Sequence, residues 1–268
     1  MNYTNRQRNE KEFHDRLATS LSYESIDIMQ AFSVGAQENR LARTLFGDLS
    51  NKRILDLGCG YGETAIFWAL CGAHVDGVDI SKGMVALARK LATKYRVLRQ
   101  CHFQQMAAEK LLFPARDFDF VFGQSVLHHV DICASVDQVR RVLKKEGMAI
   151  FVEPLSYNPL INLYRRLADR VRTRDENPLT FKDVNKLKSI FTSVEHREYH
   201  FLTQFIFIWF FVAGRIHPNQ ERYWKKLLQV RGGLKILLRI LILADKIILT
   251  IFPPLRYLCW NTVIILKK

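Results

Sequence analysis

The feature that most constrains this chain is the stretch Arg53 to Gly62, RILDLGCGYG, where an apolar run breaks into alternating glycines. A short, continuous apolar run reads as a strand covered on both faces. The glycines let the backbone turn with positive φ or approach a ligand closely. ETAIFWALCG follows as a helix closing on Gly72. The same grammar then repeats: AHVDGVDI, CHFQQM, DFDFVFGQS and MAIFVEP read as further strands, with SKGMVALARKLATKY and ICASVDQVRRVLKKEG as helices. Such alternation predicts an α/β fold, a Rossmann-like doubly wound parallel sheet with helices on both faces. In such sheets ligands bind beyond the carboxyl ends of the strands, where strand order reverses.

Composition sets the outer bounds. The 268 residues are 49% hydrophobic and 25% charged, which excludes wholesale disorder and fibrous folds and suits one large domain with an appendage. Forty Lys and Arg against 26 Asp and Glu give a formal charge of +14, almost all of it after Pro154. That half therefore meets something anionic. It also carries FLTQFIFIWFFVA and LKILLRILILADKIILTIF, too apolar for a face that tracks nucleic acid, so a membrane surface is the expected partner. The cysteines are odd in number, scattered and without a CxxC pair, as expected of reduced thiols facing a cytosol. The polar N-terminus lacks a signal-peptide pattern, and the sequence predicts a cytoplasmic protein, peripheral on the inner face of a membrane.

Asp56, Gly58, Gly60 and Gly62 form D-x-G-x-G-x-G, and Asp79 ends the second strand 19 residues beyond Gly60. An Asp inside the glycine loop repels a pyrophosphate and suits a ligand with a cationic amine or sugar hydroxyls. A carboxylate at the second strand end can accept both ribose hydroxyls.

Residues 51–154, through ILDLGCGYG, VDGVDIS, EKLLFPARDFDFVFGQSVLHHV and RRVLKKEGMAIFVEP, resemble the class I S-adenosylmethionine-dependent methyltransferases, especially the group holding quinone and other small-molecule methyltransferases. The resemblance implies a seven-stranded sheet and S-adenosylmethionine as cofactor. It implies that Asp56, Gly58 and Gly60 hold the methionine portion, that Asp79 binds the ribose and Ile80 packs on adenine. It also places Ala108 in the donor site and Gln124 near the methionine amino and carboxylate groups. One departure stands out. Where relatives often read Gly-Asp-Ala-Glu, this chain reads Met106, Ala107, Ala108, Glu109, so adenine recognition is left to backbone groups or another acceptor such as Gln105.

Methyl transfer from a sulfonium needs closeness and alignment, plus a base when the acceptor must lose a proton. The candidate catalytic groups are His128 and His129, just past the fourth strand, and Glu153 at the end of the fifth, whose carboxylate is expected to look into the same cleft. Tyr157 and Asn158 are expected to line the substrate pocket. His196 and His200 stand four apart but on a predicted strand with no third ligand, so no metal is expected.

Residues 1–50 read as an N-terminal helical cover and 51–202 as the donor-binding core. Residues 203–256 read as a hydrophobic, basic helical insertion, and 257–268 as the final core strand. FTSVEHREYHFL and LCWNTVIILKK fit the two closing strands, and the insertion between them is far too long for a hairpin turn. Phe201 to Ala213 is shorter than the roughly 20 residues a spanning helix needs. In Leu234 to Phe252, Arg239, Asp245 and Lys246 each cost about 2.5 to 3.5 kcal/mol at mid-bilayer, so neither segment is expected to span. Lys235, Arg239 and Lys246 share a helical face opposite Ile236, Leu237, Ile240, Leu241, Ile247 and Ile248, the pattern of a helix lying in the interface. Arginines in YRRLADRVRTR are suited to lipid phosphate or carboxylate groups. The expected activity is methylation, O-methylation first, of a hydrophobic lipid-like, quinone or phenol-type small molecule. The rivals are a soluble natural-product methyltransferase, whose apolar segments form pocket and dimer contact, and a catalytically silent binding protein. The acceptor atom and oligomeric state are left open by the sequence.

Overall fold

The computed structural model describes residues 3–168, 172–173 and 176–268. Seven strands form one sheet in the order β3-β2-β1-β4-β5-β7-β6. They are β1 (Arg53–Leu57), β2 (His74–Asp79), β3 (Cys101–Gln105), β4 (Phe118–Gln124), β5 (Leu143–Pro154), β6 (Ser193–Tyr199) and β7 (Asn261–Lys267). The first five run parallel, while β7 lies antiparallel to both β5 and β6. Strand order reverses between β1 and β4, whose carboxyl ends part and open the cleft that the motif positions predict.

Helices α3 (Glu63–Leu70), α4 (Lys82–Lys94) and α5 (Ile132–Val142) supply crossovers between the parallel strands. On one face, Ile54, Val75, Phe122, Ile150 and Val263 of the sheet join Trp68 and Leu91, with Ile28 and Phe46 from the N-terminal region. On the other, Leu55, Leu57, Val121, Ala149 and Phe151 meet Val136, Val139 and Leu187. Burial on both faces explains why these strands carry apolar runs without strict alternation. Local signals agree with the ends: Ser81 accepts from the Met84 amide at 3.0 Å and caps α4, and Asp131 accepts from Ala134 at 2.9 Å and caps α5. The sequence reading carried α5 through Gly147. In the fold it stops at Val142, because Leu143 is fully buried and pairs with Phe118 as the first residue of β5.

The N-terminal region holds α1 (Asn5–Ser20), opened by a capping box between Thr4 and Gln7, and α2 (Gln37–Phe46). After β5 come α6 (Pro159–Leu167), capped by Asn158, and α7 (Phe181–Lys186). Of the expected basic helix Tyr164 to Arg174, the part to Leu167 is helical in α6; its positions 169–171 and 174 lie outside the described residues. Between β6 and β7 lie α8 (Ile206–Val212), α9 (Tyr223–Leu228) and α10 (Gly232–Ile251). These three have their own core, in which Phe207, Phe210, Tyr223, Leu227 and Leu238 pack with Ile161 and Tyr164 of α6.

The long helix α10 has three faces. Leu238, Asp245 and Leu249 are buried, and the Asp245 carboxylate accepts from the Leu202 amide at 2.6 Å. Lys235, Arg239 and Lys246 are exposed on one flank, and Ile236, Ile240, Leu243, Ile247 and Ile251 are exposed beside them. The basic stripe thus borders the exposed apolar stripe, whereas Leu241 and Ile248 of the expected apolar face are half-buried. Ile208, Trp209, Phe211 and Val212 of α8 extend the exposed apolar surface. No described helix is long and apolar enough to cross a membrane.

Candidate functional site

At the end of β1 the chain turns through Gly58 and Gly60, with φ of +67° and +52°. A Cβ at Gly58 would stand 2.7 Å from Val126 Cγ2, whereas one at Gly60 would meet no atom within 4 Å, because it points into the cleft. Only glycine serves the first position, and the second leaves bare backbone for a ligand. The Gly60 amide donates to Asp79 Oδ2 at 2.9 Å and the Ser81 amide to Oδ1 at 2.8 Å, so Asp79 ties the loop after β1 to the end of β2. Asp56 lies beneath, its Oδ2 accepting from Thr64 Oγ1 at 2.6 Å. Burial pushes Asp56 up to about 7 and holds Asp79 above the usual carboxylate range. Both acids therefore favour a ligand that brings positive charge.

These residues line a cleft of about 300 Å³, together with Ile80, Ala108 and Gln124. Gln124 Oε1 accepts from Asn39 Nδ2 at 3.2 Å. Ala107 is buried and does not line the cleft, and Gln105 is turned away, its Nε2 donating to the Ile80 carbonyl at 3.0 Å. The acceptor that does reach the cleft is Glu109. Its Oε1 accepts from the Asp131 amide at 3.3 Å, and its buried Oε2 has no hydrogen-bond partner among the described residues.

The catalytic candidates separate into two roles. Glu153 is fully buried and is not among the cleft-lining residues. Its Oε1 accepts from the Val126 and Leu127 amides at 2.9 and 2.8 Å, and its Oε2 from the His128 amide at 3.4 Å and His128 Nδ1 at 2.6 Å. The expectation that its carboxylate faces the cleft does not match this placement: Glu153 holds the turn after β4. His128 reaches the cleft from a buried position, and burial, with the charges of Arg172 and Arg165, pushes its imidazole down to about 3. His129 is less enclosed. Its Nδ1 donates to Glu10 Oε1 at 2.9 Å, the same oxygen that accepts from Thr173 Oγ1 at 2.7 Å. Burial, then the neighbouring His128, push His129 down to about 4, so the ring is neutral near pH 7 with Nε2 as its free lone pair.

Helix α1 was expected to be a cover, yet it supplies one wall. Gln7, Glu10, Phe13, His14 and Leu17 recur at helical spacing and line the cleft. That spacing was legible, but in a polar helix it carries no apolar stripe to draw notice. Arg6 donates to the His128 and Val130 carbonyls at 2.8 and 3.2 Å, and Asp15 accepts from Ser81 Oγ and the Gly83 amide at 2.6 and 2.9 Å, which fixes α1 across the site.

Tyr157 and Asn158 do not line the cleft. Tyr157 packs with Phe181 and Tyr257 and accepts from the Phe181 amide at 2.9 Å, while Asn158 caps α6 and donates to Gln204 Oε1 at 2.7 Å. Their place is taken by Tyr164, Arg172, Arg222, Trp224, Lys225, Trp260 and Asn261. His200 is buried against Glu38, Nε2 to Oε1 3.0 Å, as part of the packing between α2 and the end of β6. His128, His129 and Glu176 bring possible ligand atoms within 4.8 Å of one another, but Arg172 forms an ion pair with Glu176 and adds positive charge there.

Residues 54–147 match a family model described as a methyltransferase domain. This segment is similar to a methyltransferase domain. Over 151 residues it is 31% identical to the uncharacterized methyltransferase YcgJ of Bacillus subtilis, a match covering 50% of this chain and 59% of that one. The solved structure of YcgJ shares the fold, with a TM-score of 0.54 and 22% identity over 86% of this chain and 97% of the other. The ubiquinone biosynthesis O-methyltransferase of Aeromonas salmonicida is 37% identical over 114 residues, 42% of this chain and 47% of that protein. The aklanonic acid methyltransferase DauC of a Streptomyces species is 38% identical over 112 residues, 40% and 50%. The chain thus spans about half the length of the curated relatives it matches.

S-adenosylmethionine is the cofactor that the similarity to a methyltransferase domain implies, and the residues present fit it. Asp56 and Asp79 suit its positive charge and ribose hydroxyls, Gly60 gives room at the loop, and the unpartnered Glu109 oxygen is an acceptor for an amine.

Proposed function

We propose that the chain transfers a methyl group from S-adenosylmethionine to a hydroxyl oxygen of a hydrophobic small molecule, a phenol, enol or quinone-type compound, at or near a membrane surface. The observation that carries the chemistry is the His129–Glu10 pair, facing the cleft that also holds Asp79 and the glycine loop. Glu10 accepts the Nδ1 proton and leaves Nε2 to take the acceptor's hydroxyl proton; His128, held by Glu153, sets the turn that aims it. When bound, the cofactor supplies an electrophilic methyl group on a sulfonium. The chain contributes position, a neutral base and exclusion of water by α1 and α9.

The membrane half rests on α8 and α10, whose exposed apolar residues lie beside Lys235, Arg239 and Lys246. The similarity to an enzyme of ubiquinone biosynthesis supports a hydrophobic acceptor. The similarity to the aklanonic acid enzyme favours a second reading, a natural-product methyltransferase whose exposed apolar faces meet a second copy. Flotation with anionic liposomes tests the choice: the first reading predicts co-flotation of the protein, and its retention in the dense fraction as a dimer contradicts it. Turnover is tested by transfer of labelled methyl from S-adenosylmethionine to extracted membrane lipids and quinones.

A further inference from the structure

A second hollow opens away from the donor cleft, where the loop before α2 meets the turn between α9 and α10. Ser33, Val34, Leu228 and Val230 line it, and Arg40 of α2 with Lys235 and Arg239 of α10 stand around it. The joint is closely built. A Cβ at Gly35 would lie 2.9 Å from the Leu227 carbonyl oxygen, and Gln229 Nε2 donates to Gln30 Oε1 at 2.9 Å. This packing holds α2 against the start of α10 and so brings together cations that are about two hundred positions apart in the chain.

The three cations have no counter-charge. No acid lines the hollow, and among the described residues none of the three side chains makes an ion pair or a hydrogen bond. The acids carried by the same two helices are engaged elsewhere: Glu38 of α2 is buried against His200 at 3.0 Å and Asn261 at 2.7 Å, and Asp245 of α10 is buried and accepts from the Leu202 amide at 2.6 Å. The Ser33 hydroxyl is likewise buried beside the hollow with no hydrogen-bond partner among the described residues. Like charges gathered without an acid repel, and an anion seated between them turns that repulsion into attraction. Lys235 and Arg239 are one helical turn apart, on the flank of α10 between its buried face, Leu238 and Asp245, and its exposed apolar face, Ile236, Ile240 and Leu243. An anion in the hollow is therefore bordered on one side by packed interior and on the other by exposed hydrocarbon.

We propose that this hollow holds the phosphate of an anionic phospholipid headgroup, with Arg40, Arg239 and Lys235 on the phosphate and the acyl chains along Ile236, Ile240 and Leu243. The inference rests on the membrane reading above and deepens it, since it names the lipid chemistry and brings in Arg40 from outside the α10 stripe. Guanidinium forks match phosphate oxygens bidentately, and a lysine adds a point charge. The neighbouring apolar face is what separates a lipid from a free phosphate, which has no use for it. A lipid bound here also holds one end of α9 at the bilayer, while Trp224 and Lys225 at the other end line the donor cleft.

The test titrates the whole protein calorimetrically with dihexanoyl phosphatidylglycerol below its micelle concentration, and with dihexanoyl phosphatidylcholine and glycerol 3-phosphate for comparison. The expected result is that the phosphatidylglycerol binds at least about tenfold more tightly than either comparison ligand. Arg40→Gln loses about tenfold, Arg40→Lys recovers part of it, and Lys246→Gln, on the same basic flank but away from the hollow, moves the Kd by less than about twofold. Equal affinity for the two lipids on the wild-type protein overturns the inference, and this arm needs no variant to fold. Glycerol 3-phosphate binding as tightly as the phosphatidylglycerol overturns it too, since the hollow then takes a free phosphate. Equal losses in Arg40→Gln and Lys246→Gln overturn it as well, because the attraction is then spread along the stripe. Flotation of the wild-type protein with phosphatidylcholine–phosphatidylglycerol vesicles separates the two claims. Flotation without binding of the short-chain lipid overturns the hollow and leaves the membrane reading standing, whereas no flotation overturns the membrane reading and the inference with it.

Discussion

Glu153→Leu removes the carboxylate on which four donors converge: the Val126, Leu127 and His128 amides and the His128 ring. The site is fully buried, so no water replaces the lost acceptor. Each orphaned buried donor costs about 1 to 3 kcal/mol. Counting the two short amide bonds in full and the long one in part gives about 3 to 6 kcal/mol, a large share of the roughly 5 to 15 kcal/mol available to a folded domain. At about 2 to 4 °C per kcal/mol for a chain near this size, Tm falls by on the order of 10 °C. Glu153→Gln keeps one carbonyl for the two short amide bonds and turns its NH2 toward the imidazole, so it loses only about 1 kcal/mol. Urea denaturation followed by tryptophan fluorescence, with Tm by calorimetry, measures both. If Glu153 were the base, the outcome would reverse: Glu153→Gln would lose turnover about a hundredfold or more with stability intact. A Glu153→Leu protein less than about 1 kcal/mol below wild type refutes the reasoning.

Other consequences follow from the same geometry. His129→Ala and Glu10→Gln should each lower kcat by about 10² to 10³ while S-adenosylhomocysteine affinity stays within a few-fold, read by labelled-methyl transfer and calorimetry. Because the His129 imidazole is held at about 4, its neutral form is complete above that value and is lost only as pH falls toward it. Its contribution to the kcat/KM profile should therefore be flat from about pH 6 to 8, and a rising limb near the ordinary histidine value contradicts this. Glu109→Ala should weaken S-adenosylhomocysteine binding about tenfold, as loss of one hydrogen bond to a charged acceptor; an unchanged Kd removes Glu109 from the adenine end. Ile240→Glu with Leu243→Glu should abolish flotation with anionic vesicles and leave Tm within about 2 °C, because both side chains are exposed.

The central strands, their crossover helices and the cleft at the switch point were legible in the sequence, because buried parallel strands write continuous apolar runs and a glycine loop paired with an acidic second strand end marks the switch point. Asp56, Gly60 and Asp79 meet where their spacing places them. What was not legible depends on side-chain direction and on contacts distant in sequence. Glu153 stands at the end of β5 as expected, but its side chain turns toward the β4 loop, not the cleft, and no linear pattern reports that choice. Tyr157 and Asn158 are near the strand end in sequence yet serve the start of α6 and its packing, while the wall comes from Arg222, Trp224 and Lys225, more than sixty positions later. Glu10 reaches His129 across 119 positions. In α10 the basic stripe borders the exposed apolar one where the sequence was read as setting it opposite, and Leu241 and Ile248 turn partly inward, because the buried face is set by Leu238, Asp245 and Leu249.

Calorimetric titration of the wild-type protein and of Asp79→Ala with S-adenosylhomocysteine tests the central claim most directly. The account predicts micromolar binding by the wild type despite Ala107, and a loss of at least tenfold in Asp79→Ala, whose carboxylate orders the glycine loop and lines the cleft. No heat of binding from a folded wild-type protein contradicts it.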